Sequence, residues 1–206
     1  MKIHLISPYG FGANTYVLTS DDKTAVVIDP AQQSVEKALS RLGLTPSFVL
    51  LTHCHFDHVA GVERLQAMGA KVICSQQEKP LVGTNADLHQ LFGAPAPTYT
   101  IDQTFSDGEQ LSLCGMSITG IITPGHTSGC ACYLVQEGVE KWLFTGDTLF
   151  KDTIGRTDFP TGDLEQLRQS LKKLSALTGD MPVYPGHNEE TTLQREREEN
   201  PFVIDA

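Results

Sequence analysis

Phe48-Val49-Leu50-Leu51-Thr52-His53-Cys54-His55-Phe56-Asp57-His58 reads as a buried strand that runs straight into a cluster of metal-binding side chains. In extended backbone, residues i and i+2 point to the same side, so His53 and His55 can grip one ion. Asp57 and His58 follow where the chain turns toward a helical pattern at Val62, and they can serve a second ion nearby. Imidazole suits zinc and iron, and a carboxylate compensates charge.

The same junction recurs three times. Ile118 to Thr123 runs into Pro124-Gly125-His126, Trp142-Leu143-Phe144 into Thr145-Gly146-Asp147, and Val183-Tyr184 into Pro185-Gly186-His187. Four apolar strands thus end in turns that present His or Asp, and ligands at strand ends converge on one rim of a rigid sheet. His53, His55 and His126 make a three-nitrogen first site. Asp57, His58 and His187 make a second site richer in oxygen, and Asp147 can bridge the two. A lone strand-end histidine is more often a satisfied surface or core residue. Here the groups occur together, and only His4 and His89 of the seven histidines are left over.

Outward from these junctions, short β-branched runs predict strands at Thr15–Leu18, Thr24–Ile28, Lys71–Cys74, Cys132–Val135 and Met181–Tyr184. Helical spacing appears at Val35–Leu42 and Val62–Met68. It is clearest at 163–177, where Leu164, Leu167, Leu171 and Leu174 recur behind an N-cap supplied by Thr161-Gly162-Asp163. Residues 76–110 are the least regular part and read as a loop-rich excursion over the sheet. Arg195, Arg197 and their glutamate neighbours read as a solvated helix end. One domain over 1–206 is expected, with no separate C-terminal helical substrate domain.

The chain has 206 residues, 40% of them hydrophobic and 19% charged, a balance that argues against wholesale disorder. A formal net charge of -10 disfavours nucleic acid and anionic membrane as partners, but a local positive pocket or a bound metal can still attract an anion; a small-molecule substrate is expected. No secretory signal or membrane span is legible, and five scattered cysteines follow no disulfide framework, so a cytoplasmic location is expected. Alternation turns Cys54 away from the metals and into packing, and Cys130 and Cys132 read as small core residues. The sequence leaves the oligomeric state open.

These residues resemble the metallo-β-lactamase fold and, within it, the short glyoxalase-II-like (hydroxyacylglutathione hydrolase-like) proteins. The resemblance rests on Asn14-Thr15-Tyr16, Val27-Ile28-Asp29-Pro30, the His53–His58 motif, Pro124-Gly125-His126-Thr127, Phe144 to Phe150, Gly155 to Pro160, Tyr184 to His187 and Asn200-Pro201-Phe202. It implies an α/β fold, a four-layer αβ/βα sandwich with the metals at one edge between two sheets, and the same seven ligands. It implies two divalent metal ions, zinc or else iron or manganese, and a metal-bridging hydroxide that hydrolyses thioesters, with Asp57 orienting it. Gly155 to Phe159 also resembles a stretch of persulfide dioxygenases on the same fold, which hold a single iron through positions matching His53, His126 and Asp147. A non-catalytic metal-binding module is a further alternative. Arg156 is a candidate for a substrate carboxylate, or else pairs with Asp152 or Asp158 to brace its loop.

Overall fold

The computed structural model describes residues 1–7, 10 and 12–206. Its first sheet carries six strands in the order β1 (Lys2–Ile6), β2 (Thr15–Thr19), β3 (Thr24–Ile28), β4 (Thr45–Leu50), β5 (Lys71–Ser75) and β6 (Gln103–Phe105). The first three are antiparallel, and β3 to β6 run parallel. The next strands are β7 (Gln110–Leu113), β8 (Met116–Ile122), β9 (Ala131–Glu137) and β10 (Glu140–Gly146). The ribbon β11 (Leu149–Phe150) and β12 (Thr153–Ile154) leads on to β13 (Pro182–Pro185) and β14 (Thr191–Thr192). The second sheet is ordered β14-β13-β10-β9-β8-β7, with β13 parallel to β10.

Runs such as Thr24–Ile28 lack polar alternation because both faces of each sheet are covered. Leu18, Val26, Ile28, Leu50 and Ile73 point between the sheets, against Ile118, Tyr133, Val135 and Phe144 of the opposite sheet. Their neighbours Val17, Val27, Val49 and Val72 face outward, onto α1 (Val35–Leu42) and α3 (Val62–Ala67). On the far side Ile121, Cys132, Leu143 and Val183 pack on α5 (Leu164–Ser175). Helix, sheet, sheet and helix thus stack as the expected four-layer sandwich.

The helix signals hold, with one change. Asp163 caps α5 by accepting from the Gln166 amide at 3.0 Å, and Leu167, Leu171 and Leu174 are buried. Leu164 instead sits exposed at the rim. The irregular 76–110 stretch contains β6, the start of β7 and the single turn α4 (His89–Phe92). Strand β1 carried no strong signal, since its residues are only partly buried at the sheet edge.

The reading of the tail as a solvated helix end is corrected. Helix α6 (Leu193–Glu199) and the short α7 (Pro201–Ile204) pack back on the second sheet. Arg197 donates to the carbonyls of Ser175 (2.9 Å) and Gly179 (3.0 Å), capping the exit of α5. Glu196 is fully buried and accepts from the Asp152 amide (2.9 Å), Thr191 (2.6 Å) and Asn200 (2.9 Å). The tail therefore anchors the turn between β11 and β12, beside the site.

Candidate metal centre

Every strand end singled out in the sequence opens on the same edge of the sandwich. The chain after β4 carries His53 and His55 through an irregular turn, and α2 (Phe56–Val59) carries Asp57 and His58. His126, Asp147 and His187 follow β8, β10 and β13, which run in one direction in the second sheet. Main-chain bonds stitch these turns together: Ala131 N–H to Thr52 O (2.9 Å), Gly186 N–H to Gly146 O (2.8 Å) and Ala13 N–H to Asp57 O (3.0 Å). The approach is so close at Gly186 that a Cβ there would lie 2.3 Å from Asp147 Oδ1 and 2.8 Å from His58 Cε1. Only glycine fits.

All seven candidate side chains come together. His53, His55 and His126 form one group, with ring centroids 4.5 to 4.9 Å apart. Asp57, His58 and His187 form another, in which His187 Nε2 stands 3.3 Å from Asp57 Oδ2. Asp147 lies between them. Its oxygens are 3.4 Å from His58 Nε2, 3.6 Å from His126 Nε2 and 3.6 Å from His187 Nε2. His53 and His58 are fully buried, while Asp57 and His187 open to a cavity of about 980 Å³.

Four buried polar atoms of this cluster lack a hydrogen-bond partner: His53 Nε2, His55 Nε2, His58 Nε2 and Asp147 Oδ1. Among the described residues only Glu36 and Tyr99 hold others. Buried polar atoms are costly without partners, so this concentration fits a bound cation. The proton positions agree. A carbonyl can only accept, so His126 Nδ1 donates to Arg156 O (2.7 Å) and keeps a lone pair at Nε2, which faces His55 Nδ1 at 3.0 Å. His58 Nδ1 donates to Asp29 Oδ2 (2.9 Å). Thr52 gives its hydroxyl proton to the same oxygen (2.6 Å) and so accepts from His53 Nδ1 (3.1 Å). In their neutral forms these three imidazoles aim unprotonated Nε2 atoms inward, the arrangement a metal requires.

The electrostatics follow from this crowding. Burial and the neighbouring imidazoles hold His53 well below the ordinary range and draw His55 down to about 3. At His58 burial acts the same way, but Asp147 and Asp29 outweigh it and hold the ring well above the usual value. Burial opposes ionisation of Asp57 and Asp147 too, and the hydrogen bond from His187 and the charge of His58 respectively overcome it, leaving both lowered.

Two supporting residues had no assigned role in the sequence reading. Asp29, at the end of β3 in a left-handed turn (φ 48°), serves His53 through Thr52 and His58 directly. Its signal was present, because Val-Val-Ile-Asp-Pro repeats the strand-then-ligand pattern. Asp29→Asn replaces an acceptor-only group with an amide and is expected to weaken metal binding by roughly 10- to 100-fold. Chelator competition reads this directly, and an unchanged affinity would remove Asp29 from its positioning role. Glu78, fully buried, accepts from the Cys54 amide (2.8 Å) and the Thr127 hydroxyl (2.7 Å), tying the His53–His55 turn to the loop of His126. Burial pushes its carboxyl up. Nothing in Gln76-Gln77-Glu78-Lys79 distinguishes it from a solvated polar run.

Of the remaining candidates, Arg156 pairs with Asp158 through two 2.6 Å bonds and lies over the Phe159 ring at 3.8 Å. Asp152 goes instead to Arg195 (2.7 Å). Cys54 is buried on the side away from the cluster, where it lines a small cavity with Tyr99 and His89, and burial pushes its thiol up. His89 is paired with Asp87, and Cys130 and Cys132 are core residues.

Comparison with known proteins agrees with this geometry. The chain is 36% identical over 98% of both sequences to a protein of Haemophilus influenzae named hydroxyacylglutathione hydrolase GloC. Its fold matches the crystal structure of the B3 metallo-beta-lactamase BLEG-1 with a TM-score of 0.89 and 32% identity, covering 98% of this chain and 99% of that one. It also matches TTHA1623, solved in a di-iron-bound form, with a TM-score of 0.82 and 31% identity over 98% of this chain and 100% of the other. Residues 8–187 match the metallo-beta-lactamase superfamily, and the chain belongs to that superfamily.

Proposed function

We propose that this metal-dependent hydrolase cleaves thioesters, of which hydroxyacylglutathione is one example, as a single metallo-β-lactamase-like domain over 1–206. His53, His55 and His126 would hold one divalent ion, and Asp57, His58 and His187 a second, with Asp147 serving both. Zinc fits this donor set, and iron and manganese are the alternatives. When bound, such ions lower the pKa of water toward neutrality and polarise an acyl carbonyl.

The chain's own residues do the rest. Asp57 Oδ2, 3.3 Å from His187 Nε2 at the cavity floor, orients the attacking water and accepts its proton. The water oxygen bonds to the acyl carbon, the C–S bond breaks, and the thiol side leaves as a thiolate, which needs no strong acid. The observation that carries the reading is the cluster of imidazoles and carboxylates with unpartnered inward atoms beneath an open cavity. The name of the Haemophilus influenzae relative directs it to thioesters. All five cysteines are free, which suits the reducing cytoplasm we propose as its location. No described helix is long and apolar enough to cross a membrane.

The test is a panel of thioesters, a chromogenic β-lactam and a persulfide with oxygen uptake, all on metal-loaded protein. Thioesters are expected to turn over fastest, and Asp57→Asn is expected to lower their kcat by on the order of 100-fold when compared at saturating metal. The β-lactam arm is included because of the likeness to BLEG-1. A β-lactam or persulfide preferred over every thioester refutes the reading.

A further inference from the structure

The walls of the cavity are unlike its floor. Above Asp57, Asp147 and the histidines it is lined by Phe56, Leu88, Phe92, Phe150, Ile154 and Phe159. Three of these rings form a continuous path. Phe159 stands edge-on to His55 at 6.1 Å, Phe92 edge-on to Phe159 at 6.0 Å, and Phe56 is stacked on Phe92 at 4.8 Å. The path runs from the candidate metal cluster to the mouth, where Phe92 is 53% exposed. α4, the turn that carries Phe92, is preceded by Leu88, a buried residue held in a left-handed conformation (φ 65°). Such a backbone costs energy for a branched side chain and persists where its surroundings demand it.

The polar inventory points the same way. Among the described residues lining the cavity, Arg156 is the one strongly basic side chain, and its charge is already paired with Asp158 through the Nε and Nη2 edge of the guanidinium. Asn14 spends its amide on Tyr16, Pro185 and Asn188. The chain as a whole is acidic, at -10. A carboxylate-bearing acyl group or carrier would meet on these walls a single cation, already paired with a carboxylate, whereas an apolar group would cover exposed aromatic surface.

We infer that the site takes an apolar acyl or arylacyl group laid along the Phe159–Phe92–Phe56 wall, and that it does not depend on the charges of the thiol carrier. This rests on the thioester reading above. Phe92 is then a specificity-determining residue, which holds the distal part of the acyl chain.

The experiment measures kcat/KM for acetyl, butanoyl, hexanoyl and phenylacetyl thioesters of N-acetylcysteamine, with wild type, Phe92→Ala and Phe92→Leu. Each methylene buried on the wall is expected to raise kcat/KM about threefold, or roughly eightyfold from acetyl to hexanoyl. Phe92→Ala should flatten the series, and Phe92→Leu should restore most of the slope. Moving one acyl group from N-acetylcysteamine to glutathione should change kcat/KM by less than about tenfold, as expected where no strong ion pair is formed. A flat or falling wild-type series, a slope untouched by Phe92→Ala, or a larger gain from glutathione overturns the inference while leaving thioester hydrolysis standing. Failure of every thioester overturns the thioester reading itself.

Discussion

Asp147→Ala is expected to lower thioester kcat/KM by about three orders of magnitude, the equivalent of about 4 kcal/mol of transition-state stabilisation lost with an organised metal centre. The expectation comes from position. Asp147 is the carboxylate that reaches His58, His126 and His187 within 3.6 Å, and so belongs to both groups of candidate ligands. Its Oδ1 is buried without a partner, and it arrives there because β10 ends at Gly146 in the middle of the second sheet. Removing it leaves the fold in place, since His58 keeps its bond to Asp29 at 2.9 Å. Metal content should drop along with turnover, while circular dichroism stays that of wild type. Two ions per chain and turnover within tenfold of wild type would mean that Asp147 does not join the sites.

Gly125→Ala acts on the scaffold. Gly125 has φ 142°, outside the range side chains adopt readily, and a Cβ there would lie 2.4 Å from Leu167 Cα and 2.5 Å from Leu167 N in α5. The turn is also locked by the Gly125 amide on Thr127 O (2.9 Å) and by the Asp163 amide on Gly125 O (2.8 Å). Either the turn or the helix must move. The expected loss is about 3 kcal/mol of folding stability, from overpacking and backbone strain together. For a chain of this size that lowers Tm by roughly 6 to 12 °C. Because His126 follows directly, metal affinity should weaken as well. Denaturation of the metal-free proteins separates the two effects, and a stability change below about 1 kcal/mol would show that the turn is not held against α5.

Much of this molecule was legible in the sequence because its site lies at strand ends. A run such as Phe48 to Leu51 followed by His53-Cys54-His55 states both an element and its chemistry, and three repeats of that pattern identify one edge of the sandwich. The short β-branched runs read as buried strands, and the split of Val26 and Ile28 from Val27 between two cores shows that they are covered on both faces. The supporting residues were harder to see. Glu78 is buried only because the loop at Gly129 passes so close that a Cβ there would lie 2.2 Å from the Glu78 nitrogen, a meeting of residues fifty positions apart. Glu196 looked solvated because one face of a short helix reads as charged until the segment it covers is known. Arg156 offered two readings by spacing alone, and the bidentate pair with Asp158 favours the brace. The aromatic wall could not be read at all, since Phe56, Phe92 and Phe159 meet only through the fold.

The most direct test of the central claim is elemental analysis of the purified protein, produced with balanced zinc, iron and manganese and without chelator. Close to two divalent ions per chain is the predicted result, with His58→Ala reducing the count. No bound metal, or one ion whose retention is indifferent to His58, would contradict a two-metal hydrolytic centre.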